Sequence, residues 1–283
     1  MGNSMNSYRK RFVSNQDVQS IVSAARAYDK NLNKRSFLIA YGKGSSSGFL
    51  EISFSADKFR HLIGVQKDRF SPSAEEFYKS AVNGVLTKND LKNRLSIYFR
   101  PKIIAAKYLN EFPNVISHVS KVDHAISHIK GSVWISSDSV NLAIGAFRLE
   151  MDKSSSIGYV PTSLQLMNHR DIEEKSKDGI VNPIFAVFSR KTDDMEYTNI
   201  NYLDEELTDA QETAVSIAMN SYCNTKKLRE TYPAIVNKIL APESSHESEE
   251  IEDLDDLMAA YSFEDELKDV NSRRHEIEDE ISK

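Results

Sequence analysis

The sequence predicts an α+β domain, with a helical section packed on an antiparallel β-sheet, followed by a strongly acidic C-terminal tail. Three observations lead there. Apart from one early hairpin, apolar residues up to His128 recur at three- and four-residue spacing, the period of helices lying on a core. From Gly131 to Tyr202 short apolar runs alternate with turn residues, as closely spaced antiparallel strands do. Helices followed by strands argue for the α+β class. Beyond Pro242 the chain becomes rich in Ser and Glu. The predicted division is a domain over 1–242, with its core at 17–202 and C-terminal helices at 208–240, and a tail over 243–283.

Taken in order, Asp17 to Asn31 is predicted as the first helix. Val18, Ile21, Val22, Ala25 and Tyr28 share one face, and Asn15 is a candidate N-cap. Ser36–Tyr41 and Phe49–Phe54 read as paired strands. The Gly- and Ser-rich loop between them is not a phosphate cradle, because a strand follows it and the terminal Gly-Lys-Ser/Thr is absent. Phe59-Arg60-His61-Leu62-Ile63-Gly64 is predicted as a corner, with Phe59, Leu62 and Ile63 buried and Gly64 turning. Ser73 and Glu76 form a capping box for the next helix, which Gly84 ends. Thr87 and Asp90 open another through Leu91 and Leu95. Pro101 suits the start of the helix carrying Ile103 and Leu109. The spacing of Val115, Val119, Val122 and Ile126 predicts a helix over Asn114 to His128.

Five strands are then predicted, at Ser132–Ile135, Val140–Phe147, Ser156–Val160, Pro183–Phe188 and Tyr197–Tyr202. Thr208 and Gln211 form a second capping box ahead of Ala214, Ile217 and Ala218, and a further helix runs from Thr225 to Leu240, interrupted at Pro233. In the tail, Ile251, Leu254, Leu257, Met258 and Tyr261 recur at helical spacing among acidic residues.

The net charge of -6 conceals two opposite regions. Residues 243–283 carry 16 acidic and 4 basic side chains, a net of -12, while residues 1–242 carry 26 acidic and 32 basic, a net of +6. A mildly basic body attracts phosphates, and an acidic tail competes for the same surface. The single cysteine, Cys223, excludes an internal disulfide framework and fits a reducing cytoplasm. It reads as a small apolar filler or as a thiol nucleophile. No apolar run approaches a membrane span, and Met1 to Arg11 lacks the apolar middle of a secretory signal.

The order Phe59-Arg-His-Leu-Ile-Gly64, Glu76-Phe-Tyr78, Lys130-Gly131, Asn141-Leu-Ala-Ile-Gly145, Tyr159-Val-Pro-Thr-Ser-Leu164, Pro183-Ile-Phe-Ala-Val-Phe188 and Tyr197 resembles the phage- and plasmid-associated nuclease-like domains grouped with barnase, EndoU, colicin and RelE ribonucleases, the BECR-fold group. The likeness covers about Asp17 to Tyr202. It implies a BECR-like fold and a metal-independent ribonuclease-like activity on RNA (or DNA), with no cofactor, on a phage, plasmid or toxin system. On those motifs His61, Lys130, Tyr159, Ser163 and Tyr197 are the candidate catalytic residues and Arg60 the phosphate contact.

Metal-free RNA cleavage needs a base for the 2′-hydroxyl, an acid for the leaving 5′-oxygen and a cation for the phosphorane. Histidine suits proton transfer near neutrality, and Arg or Lys suits the charge. His61 reads either as that acid/base or as a corner histidine bonded to a strand end. Tyr159 and Tyr197 read equally as core residues with a rim hydroxyl. His118, His124 and His128 suggest a metal, but the third ligand of such a set and the glutamate of His-Glu-x-x-His are missing, so no metal site is predicted. Two functions remain open. One is an RNA-directed nuclease masked by its acidic tail. The other is a catalytically inactive module that docks a protein partner through Leu254, Leu257, Met258 and Tyr261.

Overall fold

The structure is a computed structural model, and it describes residues 13–43, 46–69, 71–92, 94–121, 133–148, 158–175 and 180–240. The chain divides into two units, Met1–Leu240 and Ala241–Lys283. The second, with Leu254, Leu257, Met258 and Tyr261, lies outside the described residues, as does Lys130.

Helix α1 (Asn15–Asn31) is capped by Ser14 rather than Asn15, in a reciprocal box with Asp17. Strands β1 (Arg35–Lys43) and β2 (Ser46–Phe54) form the predicted hairpin. Four helices follow: α2 (Ala56–Leu62), α3 (Ala74–Val82) behind its Ser73/Glu76 box, the one-turn α4 (Lys88–Leu91), and α5 (Phe99–Ala105). A 3₁₀ turn over Ala106–Asn110 extends α5.

The helix expected from Asn114 onward does not form as predicted. His118–Lys121 is instead strand β3, pairing antiparallel with β4 (Val133–Ser136) and β7 (Ile180–Lys191). Its β-branched Val119 suits either state when the run is short, and the edges of β4 and β7 on either side decide for the sheet. His124 and His128 lie outside the described residues. Strands β5 (Ala143–Arg148) and β6 (Gly158–Gln165) complete this half, with α6 (His169–Lys175) before β7. Strand β8 (Asn199–Leu203) joins β7, and α7 (Asp209–Tyr222), α8 (Thr225–Thr231) and α9 (Pro233–Ile239) end the described chain.

The predicted antiparallel sheet closes on itself and carries one parallel contact. Its order is β1-β2-β6-β5-β4-β3-β7, and β7 also pairs with β1, so seven strands close into a barrel-like ring with β8 added at β7. The β2–β6 contact is parallel. The early hairpin therefore belongs to the same sheet as the later strands. Closure removes edges that would otherwise template aggregation.

Alternation along the strands builds two cores. Phe37, Ile39 and Tyr41 of β1 and Ile184 and Val187 of β7 join the main core with α1–α5. Leu38 and Ala40, with Phe185 and Phe188, face Ala214, Val215, Ala218, Met219 and Val236 of the C-terminal helices. A smaller group packs Trp134 of β4 on Met167 and on Ile172 of α6. Cys223 is a buried member of the second core, and burial pushes its thiol up to about 12. That leaves it inert as a nucleophile at neutral pH.

Candidate active site

The predicted corner is a short helix, and it is anchored as its sequence suggests. Phe59, Leu62, Ile63 and Gly64 are buried. Phe59 packs against Tyr28 and Tyr78, with ring centroids 5.3 Å from each. Tyr28 donates to the Ser55 carbonyl at 2.9 Å and so ties α1 to the start of α2. Gly64, at φ +77°, ends the helix. Its amide donates to the His61 carbonyl at 3.0 Å and the Val65 amide to that of Arg60 at 3.1 Å, the paired bonds of a Schellman cap.

The same glycine lets α5 approach. A Cβ at position 64 would lie 2.8 Å from Ser96 Oγ, 3.0 Å from Lys102 Cδ and 3.3 Å from Phe99 Cα. The Ser96 amide donates to the Gly64 carbonyl at 2.9 Å, and Val65 bridges Leu95. These contacts set Lys102 of α5 at the end of α2, where its Nζ donates to the His61 carbonyl at 3.4 Å.

A cavity of about 520 Å³ opens here, lined among others by Arg60, His61, Lys67, Ser96, Tyr98 and Lys102. Arg60 and His61 both reach it because neighbours on a helix are about 100° apart, not on opposite faces as in a strand. Arg60 is braced by Nη1 donating to the Pro72 carbonyl at 2.9 Å. His61 is exposed at the rim. Opposite it, the β5–β6 register steps from Gly145↔Ser163 to Ala146↔Pro161, leaving Thr162 as an unpaired bulge, the kind of irregularity that re-aims a strand locally. The Thr162 backbone bonds the His61 ring.

The electrostatics of the cavity are one-sided. Lys102 is only 7% exposed, and burial lowers its amine from 10.5 to about 8. Partial burial also lowers the His61 imidazole, as do the charges of Lys102, Arg60 and Lys58, against the upward pull of the Thr162 bond. The carboxylate lining this cavity, Asp57, is already engaged. Burial pushes it up, but hydrogen bonds from Lys58 and Ser55 outweigh that and hold it below its ordinary value, and Lys58 Nζ pairs with it at 2.8 Å. Ser96 Oγ is buried without a partner. Arg60, Lys67, the buried Lys102 amine and the His61 imidazole thus share one concave surface that attracts an anion.

The other predicted residues fall in different places. Tyr159 and Ser163 lie on β6, the strand that carries the Thr162 bulge. Tyr159 is largely buried in the main core and Ser163 accepts from Gln165 Nε2 at 2.8 Å. Tyr197 is brought to neither. It sits in the second core, across the sheet from α2, with the Arg190 guanidinium 5.2 Å from its ring centroid. Arg190 in turn pairs with Glu51 at 2.8 Å, which makes Tyr197 part of a structural ion-pair network.

Lys102 and Ser96 were missed in the sequence. One signal was present for the lysine: Phe99, Lys102, Ile103 and Ala106 fall on a single helical face, and all four are buried. A lysine on an apolar face points to a functional amine. No signal was present for Ser96.

No curated protein and no solved structure matches the chain. Residues 20–206 match a family model described as phage-Barnase-EndoU-ColicinE5/D-RelE like nuclease4. That span holds α2, α5 and the cavity between them, so the chain carries a nuclease-type domain and belongs to the phage-Barnase-EndoU-ColicinE5/D-RelE like nuclease 4 family.

Proposed function

We propose that this domain is a metal-independent endoribonuclease of a phage or other mobile element, and that its chemistry runs in the α2–α5 cavity. The observation that carries this reading is the Lys102 amine, buried at the carbonyl of His61 and facing the same cavity as His61 and Arg60. Burying a cation costs free energy, and an anionic substrate is what such a site offsets it with.

In this scheme His61, neutral at physiological pH, takes the proton of a ribose 2′-hydroxyl. The 2′-oxygen attacks phosphorus as the bond to the 5′-oxygen breaks. The Lys102 ammonium gives its proton to that leaving oxygen, and Arg60 holds the non-bridging oxygens through the phosphorane. The products are a 2′,3′-cyclic phosphate and a 5′-hydroxyl. Water then returns a proton to Lys102 and accepts one from His61. Ser163 and Tyr159 on β6 do not line the cavity and take no step in this scheme. Tyr98, exposed at the rim, offers a face for base stacking. The tail over 243–283, net -12, masks the basic surface.

The test is cleavage of RNA oligonucleotides against matched strands carrying a single 2′-deoxynucleotide at the scissile position. The scheme predicts a cyclic-phosphate product, no cleavage at the deoxy position, and loss of activity by more than about 100-fold in His61→Ala. Removal of residues 243–283 should raise activity. Cleavage that persists at the deoxy position, or in His61→Ala, would falsify the scheme. A full-length and a truncated protein that both fail to cut or bind RNA would leave the docking-module reading in its place.

A further inference from the structure

Away from the α2–α5 cavity, the fold gathers, among the described residues, a set of ligand-type side chains. His118 on β3, Asp138 in the turn after β4 and His169 at the start of α6 each offer one nitrogen or oxygen, and these atoms lie within 4.8 Å of one another. Sequence spacing suggested His124 and His128 as the companions of His118. The strand conformation of β3 instead turns it toward a residue of a different element, and the tertiary fold supplies the third ligand that the sequence lacked.

The set is held from behind. Ser117 Oγ lies 2.9 Å from His118 Nδ1 and accepts the Asp138 amide at 3.0 Å. One hydroxyl therefore positions two of the three residues. With Nδ1–H donating to it, His118 Nε2 carries a free lone pair. His169 is placed by its amide, which donates to the Ser137 carbonyl at 3.1 Å. Its Nδ1 is buried and has no hydrogen-bond partner, an arrangement that costs about 1–3 kcal/mol unless something is bound there. The two imidazoles stack with centroids 4.5 Å apart and planes within 15°. One ligand atom from each of the two imidazoles and from Asp138 lies within 4.8 Å of the others, a separation that a single bound ion can bridge with small side-chain adjustment.

We propose that His118, Asp138 and His169 bind a divalent transition-metal ion, zinc foremost, at the junction of β3, the β4–β5 turn and α6. Two imidazoles and a carboxylate favour zinc, cobalt or nickel over magnesium or calcium. The fourth position falls to water or to Glu173, one turn along α6 from His169. An ion here ties α6 and its small apolar cluster of Trp134, Met167 and Ile172 to the barrel. This assignment stands apart from the nuclease scheme, because none of its residues lines the α2–α5 cavity.

The test uses the full chain, stripped with a chelator and dialysed, and two probes, zinc ion alone by calorimetry and cobalt ion alone by visible absorption. The expected result is one strongly bound ion with imidazole-type cobalt d–d bands. Affinity should fall by more than about tenfold in both His169→Ala and Asp138→Asn, and thermal stabilisation by zinc should disappear with it. Asp138 is exposed, so its variant folds whatever becomes of His169→Ala. The absence of binding to the wild-type chain overturns the proposal. So does binding that is undiminished in Asp138→Asn, which assigns the ion to His124, His128 or the acidic tail. RNA cleavage is not a readout, so this outcome is independent of the nuclease test.

Discussion

Replacing Lys102 with methionine separates what the cavity costs the fold from what it does. The amine is nearly buried, and its pKa is lowered from 10.5 to about 8. At ~1.36 kcal/mol per tenfold change in proton affinity, keeping it protonated at neutral pH costs the folded state on the order of 3 kcal/mol. Methionine has similar length and no charge. It forfeits the 3.4 Å bond to the His61 carbonyl, a contribution of less than about 1 kcal/mol. Lys102→Met should therefore stabilise the protein by about 2 kcal/mol at neutral pH, or about 4–8 °C in Tm for a domain of this size, while abolishing RNA cleavage. Proton counting gives the pH dependence. Between about 8 and 10.5 the unfolded chain binds the proton that the folded chain has released, so wild-type stability rises with pH through that window. The advantage of the variant should shrink over the same range and vanish above it. Urea unfolding of both proteins at neutral pH and above 10.5 measures this. A variant less stable than wild type at neutral pH, or an advantage that does not change with pH, refutes the account of Lys102 as a strained functional amine.

Other consequences are equally direct. Gly64→Ala should lose about 1–2 kcal/mol from its left-handed backbone alone and more from the contacts with Ser96 and Lys102, and its activity should drop even at temperatures where it is fully folded. Activity should follow a bell-shaped pH profile, as His61 must be neutral and Lys102 charged. The acid limb lies below the ordinary histidine value of 6.5 and the alkaline limb near 8; Lys102→Arg should push the alkaline limb upward, and a profile flat through 8 would assign the acid elsewhere. Tyr197→Phe should keep RNA cleavage within about twofold of wild type, since Tyr197 lies across the sheet in the second core; a large loss measured by oligonucleotide cleavage would put it back in the chemistry. Arg190→Met leaves the partly buried Glu51 without its ion-pair partner and should cost up to about 3 kcal/mol in urea unfolding.

Local signals predicted local structure well. The capping boxes at Ser73/Glu76 and Thr208/Gln211 open helices where expected, because a cap is a bargain struck between neighbours in the chain. The corner at Phe59–Gly64 was legible for the same reason, with three buried anchors and a glycine in the left-handed region. The predicted corner holds Arg60 and His61 as neighbours on the short helix α2, and both line one cavity. The helix expected over Asn114–His128 failed at His118–Lys121, where a short valine-bearing run fits both states and the strand edges of β4 and β7 decided between them.

Composition, periodicity and caps by themselves determined the class of the elements, the order of most of them and the asymmetry of charge, while the resemblance to a nuclease family rested on the order of short motifs and is shown by the family match over residues 20–206. Tertiary structure alone decided that the sheet closes on itself through β1 and β7, that Tyr197 faces away from His61, and that Lys102 meets the end of α2. It also brought His118, Asp138 and His169 together. The physical reason is the same in each case. Periodicity records which face of an element is buried, but which buried faces meet is settled by close packing between distant segments, and at Gly64 that packing turns on the absence of a single Cβ.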